Sequence, residues 1–159
     1  MDKERKRVLF VSSSGGHLTQ LLELAPLFEE CDYLLVTEKI EATQSLKKKY
    51  NTKYARPAGK GRNFSFWFNF LLNHFVAFKI ILSFKPTIII TTGAHTAVPF
   101  CLVGKLLRKK IVYILTFAKI KSKAKSANIV YPFADEFIVQ WEEALSLYPK
   151  AKYLGGGLY

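Results

Sequence analysis

An α/β fold built on a parallel sheet is what this sequence predicts. Three observations carry the expectation. The apolar runs VLFV, YLLV, TIII and VYIL recur along the chain. Segments with helical spacing fall between them. A glycine-histidine turn follows both the first run and the third. Strands buried on both faces read as near-continuous apolar runs, and strands alternating with helices give βαβ units. With 159 residues, half of them apolar, the chain is long enough for one domain with a real core.

Each element has its own warrant. Residues 7–12 form the first strand. Leu18, Leu21, Leu22, Ala25 and Leu27 recur at helical spacing, and Pro26 is expected to bend or end that helix. Residues 33–37 read as a second strand and 38–50 as a polar, basic helix. Pro57, Gly59 and Gly61 mark 51–63 as a loop. An aromatic helix over 64–84 precedes PTIIITT, a buried strand whose proline stands at its tolerated start. Residues 94–107 read as a helix with Pro99 as a kink. The remaining pattern is a strand at 111–115, a short helix at 124–131, a strand at 136–140, a short helix at 142–147 and a last strand at 151–154. Residues 1–154 make one domain, and 155–159 form a glycine-rich tail.

The formal charge of +12 argues for an anionic partner: nucleic acid, an anionic membrane surface or a phosphorylated substrate. Cys31 and Cys101 are far apart in sequence and read as reduced thiols. Neither they nor the three histidines form a metal pattern, so no metal or cofactor is expected. The basic N-terminus carries no apolar run of signal-peptide length.

In SSSGGHLTQ, residues 12–20, Gly15 and Gly16 give the backbone freedom to approach a ligand. In open α/β sheets ligands gather beyond the carboxyl ends of strands. Ser14, Gly15, Gly16 and His17 are therefore candidates for a phosphate or diphosphate site, with His17 as a possible acid or base. The alternative is a tight turn. TTGAHTAVP, residues 91–99, repeats the theme: Thr92, Gly93 and His95 follow a greasy strand. Two such turns at one sheet edge predict a shared cleft. Thr116 and Lys119 follow the strand at 111–115 and join the set.

Between Lys47 and Arg62 the chain carries basic residues and no acid, and an aromatic run follows. Arg62 and the rings of Phe64, Phe66, Trp67, Phe68 and Phe70, which fall on several faces of the helix, suit an anionic bilayer surface better than nucleic acid. Asn69, Asn73, His74 and Lys79 interrupt the segment, so it is expected to lie on a membrane rather than cross one.

SSSGGHLTQ, TTGAHTAVP and above all the stretch from Tyr113 to Gly156 resemble the membrane-associated subunit of the two-chain glycosyltransferases of dolichol-linked N-glycan assembly. The bacterial capsule and exopolysaccharide counterparts, including subunits that assist β-1,4-galactosyl transfer, look most similar. The resemblance implies a Rossmann-like parallel sheet forming the N-terminal half of a GT-B glycosyltransferase. It also implies a separate catalytic chain that binds the UDP-sugar. A lipid-diphosphate-linked saccharide acceptor and an anionic membrane surface are the other implied partners, with no nucleic acid. The implied location is the cytoplasmic face of the cell membrane, peripheral or monotopic. Gln140, Trp141, Gly155 and Gly156 are expected at the interface with the partner chain, the tail lying where one-chain relatives cross into their second domain. One departure stands out: the family pattern carries glutamate where this chain has Leu115. A non-catalytic docking scaffold and, more remotely, a free-standing phosphate- or nucleotide-binding enzyme are the rival readings.

Overall fold

The computed structural model describes residues 5–57 and 64–158. Along the chain run β1 (Arg7–Ser12), α1 (Gly16–Leu22), β2 (Asp32–Glu38), β3 (Thr52–Ala55), α2 (Phe64–Phe84), β4 (Ile88–Gly93), α3 (Ala97–Leu106), β5 (Lys110–Ile114), α4 (Lys125–Val130), β6 (Glu136–Val139) and β7 (Lys152–Tyr153). Short 3₁₀ segments at Ala25–Glu29, Glu41–Lys48 and Glu142–Ser146 complete the connections. The strands form one sheet in the order β3-β2-β1-β4-β5-β6-β7, and every pairing is parallel. The chain builds outward from β1 to β3, then returns to the other side of β1 and builds outward again. The β1/β4 boundary is therefore the switch point, where connections leave in opposite directions and open a crevice.

Alternation along the strands divides the apolar residues between two cores. Leu9, Val11, Leu34, Val36, Ile89, Ile111 and Tyr113 join α2, α3 and α4 on one face. Val8, Phe10 and Leu35 join Leu18, Leu21 and Phe28 on the other. Each such fully buried aliphatic side chain contributes about 1.5–3 kcal/mol. Gly104 lets α3 settle onto the sheet, since a methyl group there would collide with Ile89.

Several expectations need correction. The loop predicted at 51–63 contains the edge strand β3. The polar helix predicted at 38–50 is a 3₁₀ segment, and Glu38 belongs to β2. The first helix stops at Leu22, and Pro26 opens a separate 3₁₀ turn. Pro99 does not kink α3; it sits in the first turn, where a missing N–H costs nothing. The helix predicted at 142–147 is also 3₁₀.

Candidate functional site

Both glycine-histidine turns emerge at the switch point. Ser12 of β1 pairs with Gly93 of β4 after a shift of register beyond Val11. The Ser13 N–H donates to the Gly93 carbonyl over 3.0 Å. His17, at the start of α1, donates from Nδ1 to the Thr92 carbonyl at 2.7 Å, and the Thr92 hydroxyl donates to the His17 carbonyl at 2.7 Å. A carbonyl only accepts, so the proton sits on Nδ1 and Nε2 keeps its lone pair. Burial pushes the His17 imidazole below its ordinary value; the Thr92 bond opposes this and the neighbouring His95 adds to it. His17 is therefore neutral at physiological pH.

Gly93 has a φ of 92°, in the region favouring glycine. A Cβ there would stand 2.7 Å from the Tyr113 hydroxyl and 3.4 Å from the His17 ring. Glycine is what allows the two turns to close on each other.

Sequence reasoning missed the residue that joins them. Glu38 ends β2 and is 6% exposed. Its Oε2 accepts from the Ser14 N–H at 3.1 Å and the Ser14 hydroxyl at 2.6 Å. Its Oε1 accepts from the Thr96 hydroxyl at 2.9 Å and from His95 Nε2 at 3.1 Å. Burial opposes the charge, but the hydrogen bonds from His95, Ser14 and Thr96 prevail and hold the carboxyl at about 2. The clue lay in its place at the carboxyl end of a strand beside β1.

Above these groups lies a hollow of about 440 Å³ lined by His17, Phe66, Ala94, His95, Thr116, Lys119, Lys123, Ala124, Lys125 and Ser126. Two imidazoles thus face three lysines. A second groove of about 430 Å³ is lined by Val8, Phe10, Leu27, Cys31 and Ile90 with Arg5, Lys6 and Glu30 near the start of β1, and among the described residues no histidine lines it.

The predicted residues divide accordingly. His17, His95, Thr116 and Lys119 line the hollow. Ser14 spends its hydroxyl on Glu38. Thr92 is fully buried with its hydroxyl on the His17 carbonyl, which corrects its placement as a ligand contact. Gly15 and Gly16 are exposed at the turn.

Gln140 is likewise corrected from interface to interior. It is 5% exposed and donates to the Gln20 side chain at 2.9 Å and the Leu115 carbonyl at 2.8 Å. Gln20 in turn donates to the Thr116 hydroxyl and accepts from the Phe117 N–H, fixing the loop after β5. Trp141 is half-buried and donates to the Phe117 carbonyl. Gly155 and Gly156 are exposed.

On α2 the aromatic set splits by face. Phe64, Trp67, Phe68, Leu71, Phe75, Phe78 and Leu82 form an exposed stripe at helical spacing. Phe66 is buried against the His95 ring, with centroids 5.5 Å apart, and Phe70 packs on the core. Both were expected to face lipid; the pull of the core on this helix turns them inward. Arg62 lies outside the described residues. Although α2 is long and apolar enough to cross a membrane, Asn73, Ala77, Ile80 and Ile81 bury its other face in the protein. Asn73 also pairs with the Arg56 backbone through two bonds of 2.9 Å.

Residues 8–157 match the family described as oligosaccharide biosynthesis protein Alg14 like. The chain belongs to that family. The mouse UDP-N-acetylglucosamine transferase subunit ALG14 is 29% identical over 182 aligned residues, covering 96% of this chain and 83% of the relative. The fission yeast (Schizosaccharomyces pombe) subunit alg14 is 30% identical over 177, covering 95% and 83%. Among solved structures, Acinetobacter baumannii MurG superimposes with a TM-score of 0.77 at 14% identity, covering 97% of this chain and 46% of that one. A UDP-N-acetylglucosamine 2-epimerase from Rickettsia bellii gives 0.74 at 11% identity, covering 96% and 45%. The Alg14-like chain therefore has the Rossmann-like fold expected for the N-terminal half of a GT-B enzyme, and it spans less than half the length of these solved proteins.

Proposed function

We propose that this Alg14-like chain is the acceptor- and membrane-binding subunit of a two-chain glycosyltransferase. The assembly transfers a sugar from a UDP-sugar to a lipid-diphosphate-linked saccharide in capsular or exopolysaccharide synthesis. A partner chain supplies the catalytic, UDP-sugar-binding half, contacting Trp141 and the Gly155–Gly156 tail. The observation that carries this reading is the hollow at the switch point. Its two imidazoles and three lysines lie beside the inner root of an aromatic helix. Lys119, Lys123 and Lys125 offer positive charge to a diphosphate. The stripe on α2 seats the chain peripherally or monotopically on the cytoplasmic face of an anionic membrane. His17, neutral and with Nε2 as acceptor, engages the acceptor saccharide. The relatives named as transferase subunits support the assignment to a heteromer.

The test is co-purification with the catalytic chain, then turnover with a panel of UDP-sugars and polyprenyl-diphosphate-linked acceptors in anionic vesicles. His17→Ala should raise the acceptor KM or lower turnover by about tenfold or more. Unchanged acceptor binding and unchanged turnover would remove His17 from the site. A second reading, a non-catalytic docking scaffold, is favoured by Leu115. This residue is 1% exposed and offers no carboxylate where the family pattern has one. Full turnover by a membrane-tethered partner without this chain would establish that reading instead.

A further inference from the structure

We propose that Glu38 is the positioning residue of this site, and that His95, held by it, receives the proton of the acceptor hydroxyl. The inference rests on the transferase reading for its chemistry, but its geometry stands apart from it. One carboxylate spans both turns: Oε2 holds the turn after β1 through Ser14, and Oε1 holds the turn after β4 through Thr96 and His95. The Glu38–His95 bond puts the imidazole proton on Nε2 and leaves Nδ1 as the acceptor of a ring that lines the hollow. Phe66 closes on the same ring.

Two imidazoles line the hollow, and their backing differs. His17 leans on a neutral carbonyl, and the neighbouring His95 disfavours a proton added to it. A proton added to His95 gives a cation whose Nε2–H already meets an ionised carboxylate. In the step, the acceptor hydroxyl oxygen bonds to the anomeric carbon of the UDP-sugar bound by the partner. The anomeric C–O bond to the diphosphate breaks, and its electron pair leaves on UDP. The hydroxyl proton passes to His95 Nδ1. Leu115 supplies no acid here, so the carboxylate of the site comes from a different strand, β2.

Two measurements test this. The first uses the chain alone. With only three histidines in the sequence, ¹⁵N imidazole signals are assignable by single substitution. Gln at position 38 offers one acceptor oxygen to two sets of donors. In Glu38→Gln, either the Nε2-protonated signature of His95 or the slow exchange of the Ser14 amide proton must therefore be lost. His74, whose Nδ1 bonds to the Phe70 carbonyl within α2 and not to Glu38, serves as the internal reference. If both features persist as in the wild type, Glu38 does not position the site.

The second uses the two-chain assembly. Glu38→Gln and His95→Gln are each expected to lower kcat by about thirtyfold or more while leaving the acceptor KM within about threefold, with partial recovery in Glu38→Asp. An unchanged kcat, or a loss confined to KM, overturns the proton assignment. A wild-type assembly without turnover counts against the transferase reading, and the imidazole spectra still decide the role of Glu38.

Discussion

At Glu38, burial and hydrogen bonding pull the carboxyl in opposite directions, and the hydrogen bonds win. A folded-state value near 2 against an ordinary 4.5 means that the folded state prefers the ionised form. This stabilisation is complete above about pH 4.5 and is lost as pH falls toward 2. Over that interval the wild type should lose on the order of 3 kcal/mol more stability than Glu38→Gln. Chemical denaturation at a series of pH values checks the difference; parallel curves would show that the carboxylate contributes no such linkage. This residue was not legible in the sequence because its partners are 24, 57 and 58 positions away. Seen locally, a carboxylate after an apolar run reads as the start of a helix. The histidines were legible because each follows a strand and a glycine.

At the scale of elements, α2 shows what periodicity can and cannot deliver. The sequence predicts the helix and the expectation that it meets lipid, but the rings fall on several faces, and only the fold decides which face the core takes. Phe66 and Phe70 went inward; the stripe from Phe64 to Leu82 stayed out. Replacing Trp67 and Phe75, both more than half exposed, with glutamine should leave stability within about 0.5 kcal/mol per site. Vesicle association, read by co-sedimentation, should fall at least about tenfold, since each ring withdrawn from an apolar phase forfeits about 1.5–3 kcal/mol. Equal vesicle binding by the double variant would take α2 off the membrane. The strand β3 escaped sequence reading for a related reason. TKYA is a short edge strand, and the Pro57, Gly59 and Gly61 that follow it dominate the local signal.

Over the whole molecule, parallel strand order follows from apolar runs that the sequence displays openly. The crevice follows from the point where the order reverses. What could not be read was which polar groups the reversal brings together, because each turn comes from a different βα unit. The net charge of +12 acts at the same scale. Association with anionic vesicles should weaken by roughly tenfold or more between low and half-molar salt, while the weaker association with neutral vesicles changes little. Salt-independent binding to both would leave the basic surface without a part in membrane attachment.

Phe66 belongs at once to the apolar helix α2 and to the wall around His95. On the proposed reading, anchoring and pocket shape are mechanically joined. A tilt of α2 against a membrane plane would move a ring that packs on an imidazole, so the depth at which the chain floats would be felt in the hollow.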